Sequence, residues 1–189
     1  GTGQFSLFQN IQTNIAIREL SIGDIDNDGD PDLFIPTSTG SSGQVWKNNG
    51  VGFFVKTQTL DECKGEDAAL GDLDGDGDLD AFVVRNSSGA GNTVWLNDGS
   101  GNFTNTGQSL GLNSSQSVAL GDLDGDGDLD AIEANWGTQQ VWLNDGAGTF
   151  TEGFLLNNNN YAKSVQLADN DLDGDLDIFL GYYGDGTQV

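Results

Sequence analysis

The chain has no histidine, no methionine, one cysteine, two prolines and only six basic residues in 189. Each shortage closes off a class of chemistry. Without histidine, and with Cys63 alone, there is no donor set for a soft metal. A single cysteine forms no internal disulfide framework, and no imidazole is present to activate its thiol as a nucleophile. Six bases against thirty acids give a formal charge of −24, the opposite of a nucleic-acid-binding surface. No apolar run approaches the length of about 18 residues that a membrane-spanning helix needs. Neither a targeting peptide nor an initiator methionine is present, so the chain reads as a processed or excised segment.

What is abundant is aspartate at alternate positions. Asp72-Leu-Asp74-Gly-Asp76-Gly-Asp78-Leu-Asp80 recurs letter for letter at Asp122–Asp130. It recurs with changes at Asp24–Asp32 and at Asp169–Asp177. All four stretches keep Asp at positions one, three, five, seven and nine, and Gly29, Gly77, Gly127 or Gly174 at position six. Twenty of the thirty acids lie here, and the ten left over nearly balance the six bases. Two carboxylates about 5 Å apart repel by roughly 3 kcal/mol at an effective dielectric of about 20. Hard oxygens crowded in a tight loop suit Ca2+, which accepts six to eight of them in flexible geometry, better than Mg2+, which keeps its waters. Side chains one, three and five then point inward, position seven offers its carbonyl, and glycine at six permits the sharp turn. Four ions, one per loop, would bring the charge from −24 to −16. At 35% hydrophobic content the uncompensated charge leans toward disorder, so metal is expected to supply part of the folding free energy.

The loops begin at 24, 72, 122 and 169, a period of 47 to 50 residues, which signals a solenoid, a propeller or an array. A short apolar segment precedes each loop, as at Ala68–Leu70, and another follows it, as at Ala81–Val84. A variable polar stretch comes next, then a tryptophan segment (Val45-Trp46, Val94-Trp95, Val141-Trp142). An Asn-Gly or Asp-Gly turn leads into a final phenylalanine segment. Short β-branched and aromatic runs between Gly, Asn and Asp read as strands, and the Asn-Gly and Asp-Gly pairs as hairpins. Nothing has the period of an amphipathic helix. The expected fold is all-β: a β-propeller of four blades of about 48 residues, with four antiparallel strands per blade.

Residues 1–189 read as one such domain, either a four-bladed ring or part of a larger propeller or array. Gly1–Phe5 aligns with Gly146–Phe150, a fourth-strand start, and Thr187–Val189 with Gln139–Val141, a third-strand start. Residues 1–10 are therefore expected to complete the last blade, or the same boundary joins further repeats. Two other calcium folds fit poorly. An EF-hand needs helices and Glu at position twelve, where only Glu133 falls. A nonapeptide roll would repeat every nine residues.

The loop D-x-D-x-D-G-D-x-D between strands, followed by Val-Trp-Leu-Asn-Asp-Gly, resembles the FG-GAP/VCBS repeats of integrin α-subunit propellers and of bacterial and fungal surface, secreted and lectin propellers. The resemblance covers essentially the whole chain. It implies one Ca2+ per loop, held by side chains one, three, five and nine and by carbonyl seven. Here those side chains are Asp24, Asp26, Asp28, Asp32; Asp72, Asp74, Asp76, Asp80; Asp122, Asp124, Asp126, Asp130; and Asp169, Asp171, Asp173, Asp177. The carbonyls are those of Asp30, Asp78, Asp128 and Asp175. Departures are Pro31 at position eight of loop one and Leu172 at position four of loop four.

If the loops share one face, the segments before strand one and after strand two lie on the other. Those segments vary between repeats, as a grafted binding site would. Arg18, Glu66, Gln116 and Lys163 stand before strand one; Arg85, Asn86, Trp136, Tyr182 and Tyr183 stand after strand two. The candidate ligand face is Arg18, Arg85, Trp136, Lys163, Tyr182 and Tyr183, with Trp136 and the tyrosines alternatively plugging gaps between blades. Recurrent Trp46, Trp95 and Trp142 read as packing. Sequons for glycosylation begin at Asn86, Asn102 and Asn113. The leading reading is an extracellular or cell-surface calcium-binding module for adhesion, with a protein or glycan ligand and self-assembly among its partners. A lectin is the second reading. An enzyme is the third and weakest: hydrolysis needs a carboxylate pair set apart from metal duty, and none of the ten acids outside the loops, among them Asp61, Glu62, Glu66, Asp67, Glu133 and Glu152, is marked by its neighbours as a general acid.

Overall fold

In the computed structural model, residues 9–11, 13, 15–38, 41–86, 89–156, 161–184 and 187–188 are described. Among them there is no helix, and hence none long and apolar enough to cross a membrane. Four antiparallel sheets follow one another along the chain. The first is β1 (Ser21–Gly23), β2 (Asp32–Ile35), β3 (Gly43–Asn48) and β4 (Phe54–Leu60), in that spatial order. The second is β5 (Asp67–Gly71), β6 (Asp80–Val84), β7 (Thr93–Asn97) and β8 (Phe103–Asn105). The third is β9 (Ser115–Gly121), β10 (Asp130–Asn135), β11 (Gln139–Asn144) and β12 (Phe150–Leu156). The fourth has three strands among the described residues: β13 (Ala162–Ala168), β14 (Asp177–Tyr182) and β15 (Thr187–Gln188). Each aspartate loop links the first two strands of its sheet. The expectation for residues 1–10 falls mostly outside the described residues; only 9 and 10 are within them.

The strands are too short to bury much on their own, so the apolar core lies between sheets. Ile25, Phe34, Val45 and Leu60 of the first sheet meet Ala81, Val83, Trp95 and Phe103 of the second. Phe82, Val84 and Val94 of the second meet Val118, Ala131, Trp142 and Phe150 of the third. Ile132, Ala134 and Val141 of the third meet Val165 and Leu180 of the fourth. This is why the second strand of each repeat is apolar on both faces: Asp80–Val84 is buried throughout. Edge-to-face pairs repeat at the joints, Phe34 with Phe103 at 4.9 Å and Phe82 with Phe150 at 5.0 Å.

Polar fittings repeat as well. Gln58 donates to the Phe103 carbonyl and accepts from the Phe103 N–H, both at 2.8 Å. Gln108 accepts from the Phe150 N–H at 2.8 Å, and Gln9 pairs with the Phe54 backbone in the same way. Asn97 donates to the Ile25 carbonyl, and Asn144 to the Leu73 carbonyl, at 2.8 Å each. The inner strands β1, β5, β9 and β13 adjoin one another in order. They line a common groove from Glu19–Ser21 through Asp67 and Gln116–Val118 to Lys163–Gln166. The arrangement is β-propeller-like.

Candidate functional site

Two sites stand at opposite ends of the sheets. At one end are the aspartate loops. The position-one carboxylate folds back over its loop: Asp24, Asp72, Asp122 and Asp169 each accept the N–H of the position-six glycine, at 2.9 to 3.1 Å. Those glycines have φ between 92° and 102°, which only glycine adopts freely. Position five accepts the N–H of position seven, as Asp76 does from Asp78 at 2.9 Å. In loops one to three position nine is buried and doubly anchored. Asp80 accepts from Leu73 N–H at 2.9 Å and from Asn97 N–H, on the third strand, at 2.8 Å. Asp32 and Asp130 repeat this with Asn48 and Asn144.

Carboxylate oxygens converge within 4.8 Å of one another at Asp24, Asp26 and Asp32; at Asp72, Asp74 and Asp80; and at Asp122, Asp124 and Asp130. The fourth loop differs, bringing together Asp169, Asp171 and Asp173. In loops one to three a third-strand amide holds position nine inward. Asp177 accepts from the Asn170 N–H at 3.0 Å and sits half-buried. The side chains of Asp30, Asp78 and Asp128 turn aside: a methyl group on Gly50 would lie 2.9 Å from Asp30 Oδ2, and Asp78 Oδ1 accepts from Asn27 at 2.6 Å. Asp175 at position seven donates its N–H to Asp173 at 3.0 Å.

Burial pushes the Asp80 carboxyl up to about 6, and raises Asp32 and Asp130, against the pull of their backbone donors. Burial and then Asp76 raise Asp74. Oδ1 of Asp26, of Asp74 and of Asp169 is buried with no hydrogen-bond partner. Such atoms are costly unless paired. A hard cation fits them, since ligand distances of about 2.3–2.6 Å place opposing oxygens about 5 Å apart.

At the other end the joint between the third and fourth sheets carries an aromatic cleft. Isolated bridges connect successive sheets here, Thr37 with Lys64 in parallel and Asn86 with Ser114 and Trp136 with Tyr161 in antiparallel sense. Only the last pair is aromatic. Trp136 and Tyr161 meet edge-to-face at 6.0 Å, and Lys163 Nζ lies 4.8 Å from the centre of the Trp136 ring. With Tyr183 they line a cleft of about 490 Å³. All three aromatics are exposed by more than two-fifths of their surface. Lys163 Nζ donates to Gln116 Oε1 at 2.7 Å.

Of the expected ligand face, the structure gathers Trp136, Lys163 and Tyr183. Arg18 instead pairs with Glu66 at 3.5 Å. Arg85 donates to the carbonyls of Glu62 and Lys64, the latter at 2.8 Å. Tyr182 ends β14 half-buried, and burial raises its hydroxyl pKa. Sequence reasoning missed Tyr161; the available signal was its place just before strand one, where Lys64 and Ser114 stand in the earlier repeats. Among the spare acids, Glu133 is sealed inside a joint, where Ser115, Trp142 and Asn92 all donate to it.

The FG-GAP-like repeat family matches three times, over residues 24–83, 72–133 and 122–180. The chain belongs to that family. Among solved structures, it is similar to a lectin of Agrocybe aegerita described as recognising non-reducing terminal N-acetylglucosamine. Identity is 24% and the TM-score 0.59, over 87% of this chain. The match spans 46% of the lectin's length, and it shows the fold. No curated protein sequence matches. Family and fold agree on a β-propeller-like repeat chain.

Proposed function

We propose that this chain is a calcium-binding β-propeller of four blades, acting outside the cell or on its surface as an interaction module whose ligand is a glycan. The aromatic cleft between the third and fourth blades carries the reading. Trp136, Tyr161 and Tyr183 offer faces on which a sugar ring stacks. The likeness to a lectin supports the ligand class. The aspartate clusters, with buried unpartnered oxygens on Asp26, Asp74 and Asp169, support the metal. Extracellular free calcium, in the millimolar range, suits sites of modest affinity.

Binding of the calcium-loaded chain to a glycan array, beginning with N-acetylglucosamine-terminated glycans, tests it. Trp136→Ala should weaken the best binder by about tenfold, the worth of one well-placed aromatic contact. An array with no binder, or an affinity indifferent to Trp136→Ala, would sink the glycan reading.

A further inference from the structure

Two edges of the molecule carry blade-joint residues that stand exposed among the described residues. In every internal joint the glycine just before a calcium loop meets the next blade, and in the first two joints position four of the loop does so too. Asn27 reaches Asp78, and a methyl group on Gly75 would lie 3.4 Å from the Gly146 carbonyl, at the β11–β12 turn. A methyl group on Gly23, Gly71 or Gly121 would lie 2.6 to 2.7 Å from a leucine tip of the following blade, on Leu79, Leu129 or Leu176.

The fourth blade breaks both rules, and the first blade breaks them in the opposite sense. Where the others have glycine, the fourth has Ala168, exposed at the end of β13. Where blades two to four present Leu79, Leu129 and Leu176, the first presents the shorter Pro31, also exposed. At position four, loops two and three have glycine and loop one has Asn27; loop four has Leu172, 86% exposed and at φ 62°. A leucine rarely adopts that backbone region. At the apex of the third-to-fourth-strand turn the second and third blades have Ser100 and Ala147. The first has Val51, 67% exposed. A methyl group gained faces a leucine lost, and an apolar apex faces an apolar loop tip. Beside them Ile22 is 62% exposed, where its counterparts Leu70, Leu120 and Leu167 pack against the preceding blade.

We infer that the trailing edge of the fourth blade (Ala168, Leu172) docks on the leading edge of the first blade (Ile22, Pro31, Val51) of a second copy of this chain. Two such contacts join two four-blade arcs into one eight-bladed ring. Three observations favour a second copy. Among the described residues both edges are exposed. The arc is matched by less than half of the longer lectin chain. Gln9 already stands where the outer strand of a preceding blade clamps its successor, as Gln58 and Gln108 do, so the place before the first blade is a blade position. The contact is heterologous, and such contacts form closed rings when the rotation permits. At its rim Arg18 and Lys163 are already engaged, by Glu66 and Gln116, which leaves the joint to its apolar residues.

The test is the mass of the calcium-loaded chain in solution by light scattering and sedimentation. Twice the chain mass of 19.9 kDa is expected. Leu172→Lys and Val51→Glu should each yield monomers. An equimolar mixture of the two should restore the dimer, since one joint then pairs Lys with Glu and the other keeps Leu with Val. Leu172→Gly separates docking from folding, because glycine suits loop position four; it should remain folded by circular dichroism yet lose the dimer. A monomeric wild type, any other multiple of the chain mass, or no recovery on mixing overturns the inference.

Discussion

Glu133 illustrates how one residue can hold two blades in register. Its position belongs to aliphatic residues in the other repeats: Ile35, Val83 and Leu180. The carboxylate accepts from Trp142 on its own blade at 2.8 Å, and from Asn92 on the preceding one. The tryptophans at the same position of the first two repeats find neutral acceptors, Trp46 in Gln44 and Trp95 in Thr93. Glu133→Gln keeps the shape but leaves one buried donor unpaired in either amide orientation, because Asn92 is held by accepting from the Arg85 N–H. A loss of about 1–3 kcal/mol is expected for such an orphan. Burial raises the Glu133 pKa above its ordinary value. A carboxyl raised on folding stabilises the native state below its unfolded pKa, and that contribution fades as pH rises through the folded pKa. The penalty of Glu133→Gln should therefore shrink from acid toward neutral pH. Chemical denaturation of both variants in saturating calcium across that range measures it, and a penalty that grows with pH would contradict this account. None of it was legible in the sequence, where Glu133 appeared only at a position diagnostic for another calcium fold. Pairing with Asn92, forty-one residues away, needs the joint to be built.

At the scale of elements the sequence was far more open. Strand positions followed from β-branched runs and Asp-Gly turns, because each repeat states the same local preferences again. The glycines before the loops were legible as repeat positions but not as joints; their role lies in leucine tips of the neighbouring blade. Gly71→Ala should destabilise the calcium-loaded chain by about 1–3 kcal/mol through overpacking. Leu129→Val in the same chain should recover part of that loss, since the two sites share one contact. Thermal melts of the single and double variants report the coupling, and strict additivity would mean the joint absorbs a methyl elsewhere. The cleft was only half visible. Trp136, Lys163 and Tyr183 stood out as variable exposed types, while Tyr161 and the structural engagement of Arg85 depend on how two blades meet.

For the whole molecule, the balance between charge and burial decides. The core is divided among thin joints, and twenty carboxylates sit at one end of the blades. A ligand that binds only the folded state adds about 2.7 kcal/mol per site at a hundredfold excess over its Kd. Calcium should therefore raise the melting temperature steeply and EDTA should reverse it; a melting point indifferent to both would show that the clusters hold no ion. Calorimetry should also resolve the fourth loop as a distinct binding class, because its converging carboxylates are Asp169, Asp171 and Asp173 rather than positions one, three and nine.

The sameness of the joints also bears on inheritance. Gln58 meets Phe103 as Gln108 meets Phe150, and the loops at Asp72 and Asp122 share nine identical letters. A crossover between misaligned gene copies within those letters would add or delete one whole repeat without a frameshift at the fittings. Every newly created neighbour pair would still receive its glutamine, its asparagine and its leucine tip. Lineages carrying this chain can thus change their number of repeats in single events, with selection acting afterwards on how the outermost edges match.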